Sequence, residues 1–501
     1  MDPADAVIMD NFTPGATDVS VRNGYETFCT GLGVPVETLM EYNPPDTTAA
    51  KLFAVAGTTL YDVTTGTASS QLTGLTNARW QHTMMATAGG NFLMACNGAD
   101  GVRYYNGSWN TSTITGVSAA LLVNICNHQN RLWFVEKDSL RAWYLAGASI
   151  QGAATEFNIG PLCRAGGYLV AMGTITRDGG AGMDDNLVFI TSKGEVAIYA
   201  GTDPNDADLW QLQGIFKIAE PIGRRCLVRI GADLGVLTSG GLVALSSVVP
   251  ISPSGQSQAA ASSKIGKAFE DAYRSGGTLF GWQTVEYAKE GLVIVNVPII
   301  GGRTQHQYVM NSSTGAWARW KDINVNCWSA LGDGMYAGTN DGKVIRLTDE
   351  HDDDGEDIAA VLIPAFNRFG TSGRKHFKEA RVLAFGPADY YPGLAAAVDY
   401  NITNVSYSYP TVPRYTLGAW GIGRWGQMLW GTGSSIAYLS GPLWDLTDWD
   451  SVEWGTETVP LSSWQTISGV GVAGTLAISL SLSEPYTVNG IDIVFERGGL
   501  L

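Results

Sequence analysis

The sequence predicts an all-β fold: a β-propeller of six or seven blades followed by a C-terminal β-sandwich-like domain. Three observations predict it. Strand–turn–strand units recur through the first two-thirds of the chain. Glycine is abundant, at 62 of 501 residues, which is typical of a chain with many turns. Beyond residue 350 the alternating strand patterns continue, but the period is lost.

Each recurrent unit is predicted to be a hairpin, in which an apolar strand leads through Asn-Gly, Lys-Gly or Asp-Gly into a second strand. A period of roughly 40–50 residues indicates a propeller, because a small four-stranded sheet buries both faces only when it stacks radially against its neighbours. An irregular array of β-sandwiches with the same spacing is the alternative. The hairpins begin at residues 51, 91, 131, 186, 235 and 334, with one further candidate at Gly291–Pro298.

These patterns divide the chain into three predicted domains. Residues 1–48 are interpreted as an N-terminal arm and docking segment, with a short helix over 36–42. Residues 49–350 form the propeller, and residues 351–501 form a Trp-rich β domain. One amphipathic helix near 262–275 has apolar residues at i, i+3, i+4 and i+7. It is interpreted as an insertion on a blade, with docking of a partner as the alternative.

The charge composition limits the class of function. The chain has 47 acidic and 31 basic residues and a net charge of −16, whereas a sequence-independent grip on nucleic acid needs clustered Lys and Arg. Only 16% of the residues are charged, against about 25% in a typical globular protein. Much of the surface is therefore neutral and polar, or is buried by partners.

The six cysteines form no CxxC pair, and their spacing fits no zinc site. They are interpreted as small core residues in a reducing compartment. The first residues lack the basic and apolar regions of a signal peptide, and no apolar run reaches the roughly 20 residues that a membrane span needs.

An acidic run at residues 349–357 marks the predicted end of the propeller. A calcium-binding loop is one alternative for this run, but it does not match the EF-hand pattern, because the twelfth position of the loop is Val361 and not Glu. A solvated loop is favoured, since blocks of like charge are usually exposed. No metal ion and no cofactor is predicted.

The C-terminal region contains tryptophans at intervals of five residues. This spacing fits neither one helix face nor one strand face, and it indicates repeated turns. Because Trp buries a large area and is enriched at interfaces, core or subunit-interface positions are favoured over a carbohydrate-binding platform. The six residues are Trp420, Trp425, Trp430, Trp444, Trp449 and Trp454.

No catalytic residue is predicted, and the chain is not expected to be an enzyme. Neither GxSxG nor HExxH occurs, and no phosphate-binding glycine loop is present. A glycan hydrolase would need carboxylates that converge from different blades. The available acids are explained equally well as polar turn residues: Asp62, Asp138, Asp184, Asp185 and Asp233.

Segments at both ends of the chain, and one at the junction after the propeller, carry a family resemblance. The opening DPADAVIMDNFTP and VSVRNGY, the middle DDGEDI and KHFK, and the closing WDLTDWDSVEWG, SWQTISGVG and IDIVFERGG are similar to tail nozzle and packaged-DNA stabilisation proteins of short-tailed bacteriophages. The predicted propeller resembles that family only in its period.

The resemblance implies a structural virion protein of the tail, assembled in the cytoplasm of the bacterial host. Its copies would form a hexameric ring below the tail adaptor protein, with tail fibres or spikes as further partners. The ring would retain packaged double-stranded DNA and let it pass without sequence-specific binding, since acidic walls repel phosphates. The acids assigned to the channel or its rim are Asp352, Asp353, Asp354, Glu356 and Asp357.

Two rival functions follow from the same fold. One is a propeller that binds a glycan receptor on the host, for which the Trp-rich region would be the binding surface. The other is a propeller-type glycan hydrolase of the tail, for which central carboxylates would be essential.

Overall fold

The computed structural model divides the chain into two compact units. The first, named here the sandwich unit, comprises Met1–Asn23 and Glu350–Leu501, and the second, the propeller unit, comprises Gly24–Asp349. The residues that the structure describes are 5–178, 183–231, 233–248, 255–299, 304–387, 390–402 and 459–498.

The propeller unit contains seven blades in its described residues, each an antiparallel sheet. The first strands of neighbouring blades pack against one another around most of the ring, whereas blades 1 and 2 and blades 4 and 5 meet through a first and a second strand. Blade 1 consists of Val36–Tyr42, Lys51–Ala56, Thr59–Asp62 and Ser69–Leu72; blade 2 of Gln81–Thr87, Gly90–Cys96, Arg103–Tyr105 and Trp109–Thr111; blade 3 of Leu122–His128, Arg131–Glu136, Arg141–Tyr144 and Thr155–Asn158; blade 4 of Leu169–Asp178, Met183–Thr191, Glu195–Gly201 and Trp210–Lys217; blade 5 of Leu227–Ile230, Asp233–Thr238 and Gly241–Ala244; blade 6 of Gln283–Tyr287, Leu292–Pro298, Gln305–Asn311 and Trp317–Trp320; and blade 7 of Val325–Leu331, Gly334–Thr339, Val344–Leu347 and Tyr25–Cys29.

Blade 7 closes the ring. Its outermost strand, Tyr25–Cys29, comes from the beginning of the unit and pairs with Val344–Leu347 at its end. The first strand of blade 7 in turn packs against the first strand of blade 1. The predicted propeller fold is confirmed, and the described blades number seven.

The predicted N-terminal arm of residues 1–48 is wrong in two respects. Tyr25–Cys29 belongs to blade 7, and Val36–Tyr42 is the first strand of blade 1 and not a helix. A bulge between Val36 and Thr38 shifts the alternation of this strand, so that Val36 and Leu39 both pack towards blade 7, while Met40 packs towards blade 2. The bulge therefore produces a spacing that resembles a helix face.

The blades are joined by apolar layers rather than by one central core. Cys29, Val36 and Cys327 are buried together between blades 7 and 1, and a separate cluster fills each of the next interfaces. Four of the six cysteines are buried, and none forms a disulfide. This agrees with their interpretation as small core residues.

The predicted helix lies between blades 5 and 6, at Gly266–Gly276. Phe269 anchors it, with ring centroids 4.9 Å from Tyr308 and 5.8 Å from Trp317. It is therefore packed on blade 6 as part of the propeller unit. Further short turns are Leu245–Val248, Gln256–Ala259 and the 3₁₀ segments Thr47–Ala49, Ala119–Leu121 and Ser263–Ile265, and a short parallel pair joins Ile114–Thr115 to Gly152–Ala153.

The sandwich unit is built from both ends of the chain, which confirms the predicted C-terminal sandwich and adds the first strands to it. Its two sheets enclose a core that includes Phe12, Phe377 and Ile478. The first sheet has the order Ala6–Asp10, Glu356–Pro364, Gly474–Leu482 and Gly393–Val398. The second has the order Phe12–Pro14, Val19–Val21, Thr487–Arg497 and Lys375–Gly386, and the last strand also pairs with Val459–Leu461 and Gln465–Gly471.

A buried ion pair joins the two parts of the sandwich unit where the propeller is inserted between them. Arg22 is fully buried, and its Nη1 and Nη2 donate to the two carboxylate oxygens of Asp353 at 2.8 and 2.5 Å. Its Nε donates to Asn11 Oδ1 at 3.1 Å, and Nη1 also donates to the Asn23 carbonyl. Asn11 in turn donates to the Ala359 carbonyl at 2.8 Å. The guanidinium thus joins the N-terminal strands of the sandwich unit to the hairpin that follows the propeller.

We predict that Asp353→Asn destabilises the sandwich unit by about 3–5 kcal/mol, because it leaves the buried Arg22 charge uncompensated. Hydrogen exchange of Glu356–Pro364 in a urea series measures the loss. Glu356→Gln is the matched control, since this exposed carboxylate lies in the same hairpin. A loss below about 1 kcal/mol, the range of a surface pair, would contradict the prediction.

Candidate functional site

Two adjoining cavities lie at one end of the ring of blades, where the first strands of several blades begin. The larger, about 230 Å³, is lined by Arg79, residues 222–225 and residues 277–282. The smaller, about 100 Å³, is lined by side chains of blades 1, 2, 6 and 7. Arg225 lines both. These loops are brought together by the ring, since each leads into the first strand of a different blade.

Arg225 reaches from blade 5 to blades 1 and 2. Its Nη2 donates to Thr38 Oγ1 at 2.6 Å and to the Trp80 carbonyl at 3.4 Å. Thr38 Oγ1 also donates to the Ala78 carbonyl at 2.6 Å and accepts from the Trp80 backbone N–H at 3.0 Å. One hydroxyl therefore connects three blades at this end of the ring.

Phe280 separates two of the arginines. The guanidinium carbon of Arg79 lies 4.2 Å from the ring centroid, and that of Arg225 lies 5.3 Å from it. Arg79 also pairs with Glu37, with Nη2 and Oε1 3.1 Å apart. Cation–π contacts of this kind contribute about 0.5–2 kcal/mol each, more when they are shielded from water.

The arginine cluster, which we define as Arg79, Arg224 and Arg225, is positively charged in an otherwise acidic chain. Burial lowers the pKa of Arg225, and the positive charge of Arg79 acts in the same direction, whereas Cys327 and Glu37 oppose them. Burial also lowers the pKa of Arg224. Both remain protonated at neutral pH because a guanidinium starts from so high a pKa. Nη1 of Arg225 is buried and has no hydrogen-bond partner among the described residues.

A second polar group links blades 1, 2 and 7 beside the smaller cavity. His82 Nε2 and Glu41 Oε2 are 2.9 Å apart, and Ser329 Oγ donates to the same carboxylate oxygen. Burial acts to raise the pKa of Glu41, but the charge of His82 and the hydrogen bonds from His82 and Ser329 outweigh it and lower the pKa. Glu41 therefore stays ionised and ties the three blades together.

His128 occupies the last position of the first strand of blade 3. It is 2% exposed, and its Nδ1 lies 3.1 Å from Thr174 Oγ1 in blade 4. Its Nε2 is buried without a hydrogen-bond partner among the described residues. Burial lowers the pKa of His128 to about 4, although Asp185 acts in the opposite direction.

The predicted rim acids form a hairpin in the sandwich unit. Asp354 and Gly355 have φ values of 55° and 90°, as in the two-residue turns of tight hairpins. Asp352 Oδ1 accepts from the Gly355 backbone N–H at 2.6 Å. Asp354, Glu356 and Asp357 are exposed. Asp353 differs from the prediction, because it faces Arg22 and not solvent.

The six tryptophans assigned to core or interface, Trp420, Trp425, Trp430, Trp444, Trp449 and Trp454, lie outside the described residues. The next tryptophan, Trp464, is 45% exposed in the sandwich unit. The guanidinium carbon of Arg381 lies 4.8 Å from its ring centroid.

The acids considered for a hydrolase do not come together. Asp62, Asp185 and Asp233 lie in blades 1, 4 and 5 and hydrogen-bond to Thr64, Thr176 and Ser246. Asp138 occupies a turn of blade 3 with a φ of 54°, and the Asp184 side chain is outside the described part of the chain.

Within the described residues, no group of three or more His, Cys, Asp or Glu side chains is arranged to hold a metal ion. No helix in the same ranges is long and apolar enough to cross a membrane.

The sequence analysis missed the arginine cluster. Arg224 and Arg225 are adjacent in sequence, but Arg79 precedes them by 145 and 146 residues. That pair is the sole Arg-Arg dipeptide of the sequence. It is the local feature from which a basic site could have been predicted.

No protein-family model and no curated protein matches the chain. Solved structures do. BBS1N in complex with ARL6DN is 13% identical with a TM-score of 0.40, over 65% of this chain and 97% of that one. YCF48 bound to D1 peptide is 9% identical with a TM-score of 0.38, over 65% and 96%. Sqt1 of Saccharomyces cerevisiae is 9% identical with a TM-score of 0.37, over 65% and 99%.

We predict that Thr38→Val destabilises the propeller unit by about 1–3 kcal/mol, because it removes the acceptor of Arg225 and Trp80 together. Thr38→Ser is the matched control, since it keeps the hydroxyl. Urea unfolding followed by tryptophan fluorescence measures both. Equal stability of the two variants would show that the hydroxyl does not hold the blades.

We also predict that His128 makes the propeller unit less stable in acid. Its pKa is about 4 when folded and 6.5 as a free side chain, so the unfolded chain binds the proton more tightly. The stabilisation is complete above pH 6.5 and is lost as the pH falls towards 4. The difference corresponds to about 3 kcal/mol.

Unfolding free energies measured by urea titration between pH 7.5 and pH 4 test this, with His128→Gln as the reference. The wild type should lose about 3 kcal/mol more than the variant over this range. Parallel pH profiles of the two proteins would contradict the assignment.

Proposed function

We propose that this chain is a structural subunit of the tail nozzle of a short-tailed bacteriophage and not an enzyme. Its copies form a ring, in the proposed assembly a hexamer, that continues the DNA channel below the tail adaptor protein. The ring retains packaged DNA and lets it leave during infection. The observation that carries the proposal is that the family resemblance coincides with one folded unit.

The segments that resemble nozzle proteins are far apart in sequence, and strands at both ends and at the junction pair with each other in the sandwich unit, whereas residues 444–455 lie outside the described residues. Ala6–Asp10 pairs with Glu356–Pro364, and Val19–Val21 pairs with Thr487–Arg497. The last of these strands also pairs with Lys375–Gly386. A resemblance limited to two ends and a junction is therefore the expected result if the sandwich unit is what the family shares.

The outer face of the second sandwich sheet supports self-association. Phe385, Trp464, Val470 and Val494 are between 43% and 52% exposed. Val470 and Val494 project on the outer side, because they pair with the outward residues His376 and Glu379 of the central strand. Exposed apolar and aromatic side chains on one sheet face are typical of protein interfaces. A head-to-tail contact of this kind closes into a ring when the rotation between copies permits.

The acidic charge supports a lumen through which DNA slides. With a net charge of −16, a ring of copies repels phosphates and does not hold them. The exposed Asp354, Glu356 and Asp357, together with the half-buried Asp352, remain the candidates for the channel or its rim. Asp353 is excluded from that role by its ion pair with Arg22.

Gold labelling of intact particles with an antibody to this chain tests the proposal. We expect label at the distal tip of a short tail. Mass spectrometry of the same purified particles is the control that the chain is present. If the chain is present but carries no label, mild denaturation exposes the epitope and the labelling is repeated. Label on lateral fibres or spikes would overturn the nozzle function in favour of a receptor-binding or glycan-cleaving propeller.

A further inference from the structure

We propose that the arginine cluster at this end of the ring of blades is a binding site for an oxyanion, a carboxylate or phosphate monoester, attached to a small apolar body. The inference concerns the propeller unit and does not depend on the nozzle function. It rests on the unsatisfied Arg225 nitrogen, on the charge balance, on the lining of the larger cavity and on the rigidity of its wall.

Nη1 of Arg225 lacks a hydrogen-bond partner among the described residues. A guanidinium presents five N–H donors in a fixed plane. Arg225 uses Nη2 for Thr38 and Trp80, whereas Nη1 is buried and finds no acceptor among the described residues. A buried donor that belongs to a charged group is costly to leave unpaired. An oxyanion in the cavity that Arg225 lines supplies the missing charge, and it supplies the missing acceptor once the guanidinium turns Nη1 towards the cavity.

The charge balance around the cluster also favours an anion. Three arginines are among the residues that line the larger cavity, and Glu37, the carboxylate that acts on Arg225, is already paired with Arg79. Arg224 makes no hydrogen bond or salt bridge within the described part of the chain. The other titratable groups that act on the half-buried Arg224 and Arg225 are Cys96, Asp138, Tyr168 and Cys327, of which the one carboxylic acid, Asp138, is exposed. The site therefore keeps a positive excess in a chain of net charge −16.

The lining defines the rest of the ligand. Beside the arginines and Gln81, the larger cavity is walled by Ile222, Leu279, Phe280 and Trp282. A cavity with convergent charged donors on one side and apolar side chains on the other is typical of small-molecule sites. It fits a ligand with one anionic head and an aromatic or aliphatic body, and not a bare inorganic ion.

The wall is held in place by contacts of its own. Trp282 Nε1 donates to the Gly276 carbonyl at 2.8 Å, and the Phe280 ring contacts the guanidiniums of Arg79 and Arg225. The Arg225 carbonyl accepts from the Thr284 backbone N–H at 3.1 Å. A pre-formed wall lowers the entropic cost of binding.

A purely structural cluster is the alternative, in which Arg225 only bridges the blades. Arg224→Gln separates the two, because Arg224 lines the cavity but bridges nothing in the described residues. Arg229→Gln is the matched control. It removes the same charge from the first strand of blade 5, at an exposed residue outside both cavities.

Isothermal titration of the full chain with benzoate, phenyl phosphate, inorganic phosphate and neutral benzyl alcohol is the test, with melting temperatures as the check on folding. We expect one site per chain for benzoate or phenyl phosphate, and the tighter of the two identifies the head group. Inorganic phosphate should bind more weakly than phenyl phosphate. Arg224→Gln should weaken the ligand about tenfold or more, as expected for one lost charge-assisted contact, and Arg229→Gln should leave it unchanged.

Three results would overturn the proposal. The first is no binding of benzoate or phenyl phosphate by the folded protein. The second is binding of benzyl alcohol as tight as that of either anion, which would make the cavity simply apolar. The third is equal weakening by Arg224→Gln and Arg229→Gln. It would show that the overall charge of the protein, and not a defined site, determines the affinity for the anion.

Discussion

The pairing of Tyr25–Cys29 with Val344–Leu347 is the contact on which the propeller depends. Without it, blade 7 lacks its outer strand, and no strand pairing joins the beginning of the propeller unit to its end. The pairing also fixes where the chain enters and leaves this unit, because the Thr348 N–H donates to the Gly24 carbonyl at 3.1 Å. The residues before Gly24 and after Asp349 then form the sandwich unit. Within the sandwich unit, the buried Arg22–Asp353 pair joins the segments on either side of the insertion.

The fold was predictable where local signals and burial agree. The seven hairpin starts read from the sequence fall at or within two or three residues of the second strand of each blade, since this strand is buried on both faces and is followed by a tight turn. The first strands were not predicted, because those such as Gln81–Thr87 and Gln283–Tyr287 carry polar residues. Val36–Tyr42 was misread as helix because its bulge breaks the period of two.

The candidate site was far less predictable. Thr38, Arg79, Arg225 and Phe280 are brought together by ring closure, and apart from the Arg-Arg dipeptide no local pattern marks them. The role of Asp353 was hidden for the same reason, since its partner Arg22 is 331 residues away. Sequence reasoning identified the acidic hairpin as a unit but not which member turns inward. Charge pattern alone does not report a partner that only the tertiary fold supplies.

The borrowed strand of blade 7 also sets the order of events on the ribosome. Tyr25–Cys29 leaves the exit tunnel early, but its partner Val344–Leu347 is made more than three hundred residues later. At about 5–20 residues per second, the nascent chain waits on the order of 15–60 s with Tyr25–Cys29 and Ala6–Asp10 unpaired. Six blades are able to stack before the seventh is sealed. Translation speed and the chaperones that shield an early β-edge therefore act on this molecule at its first thirty residues.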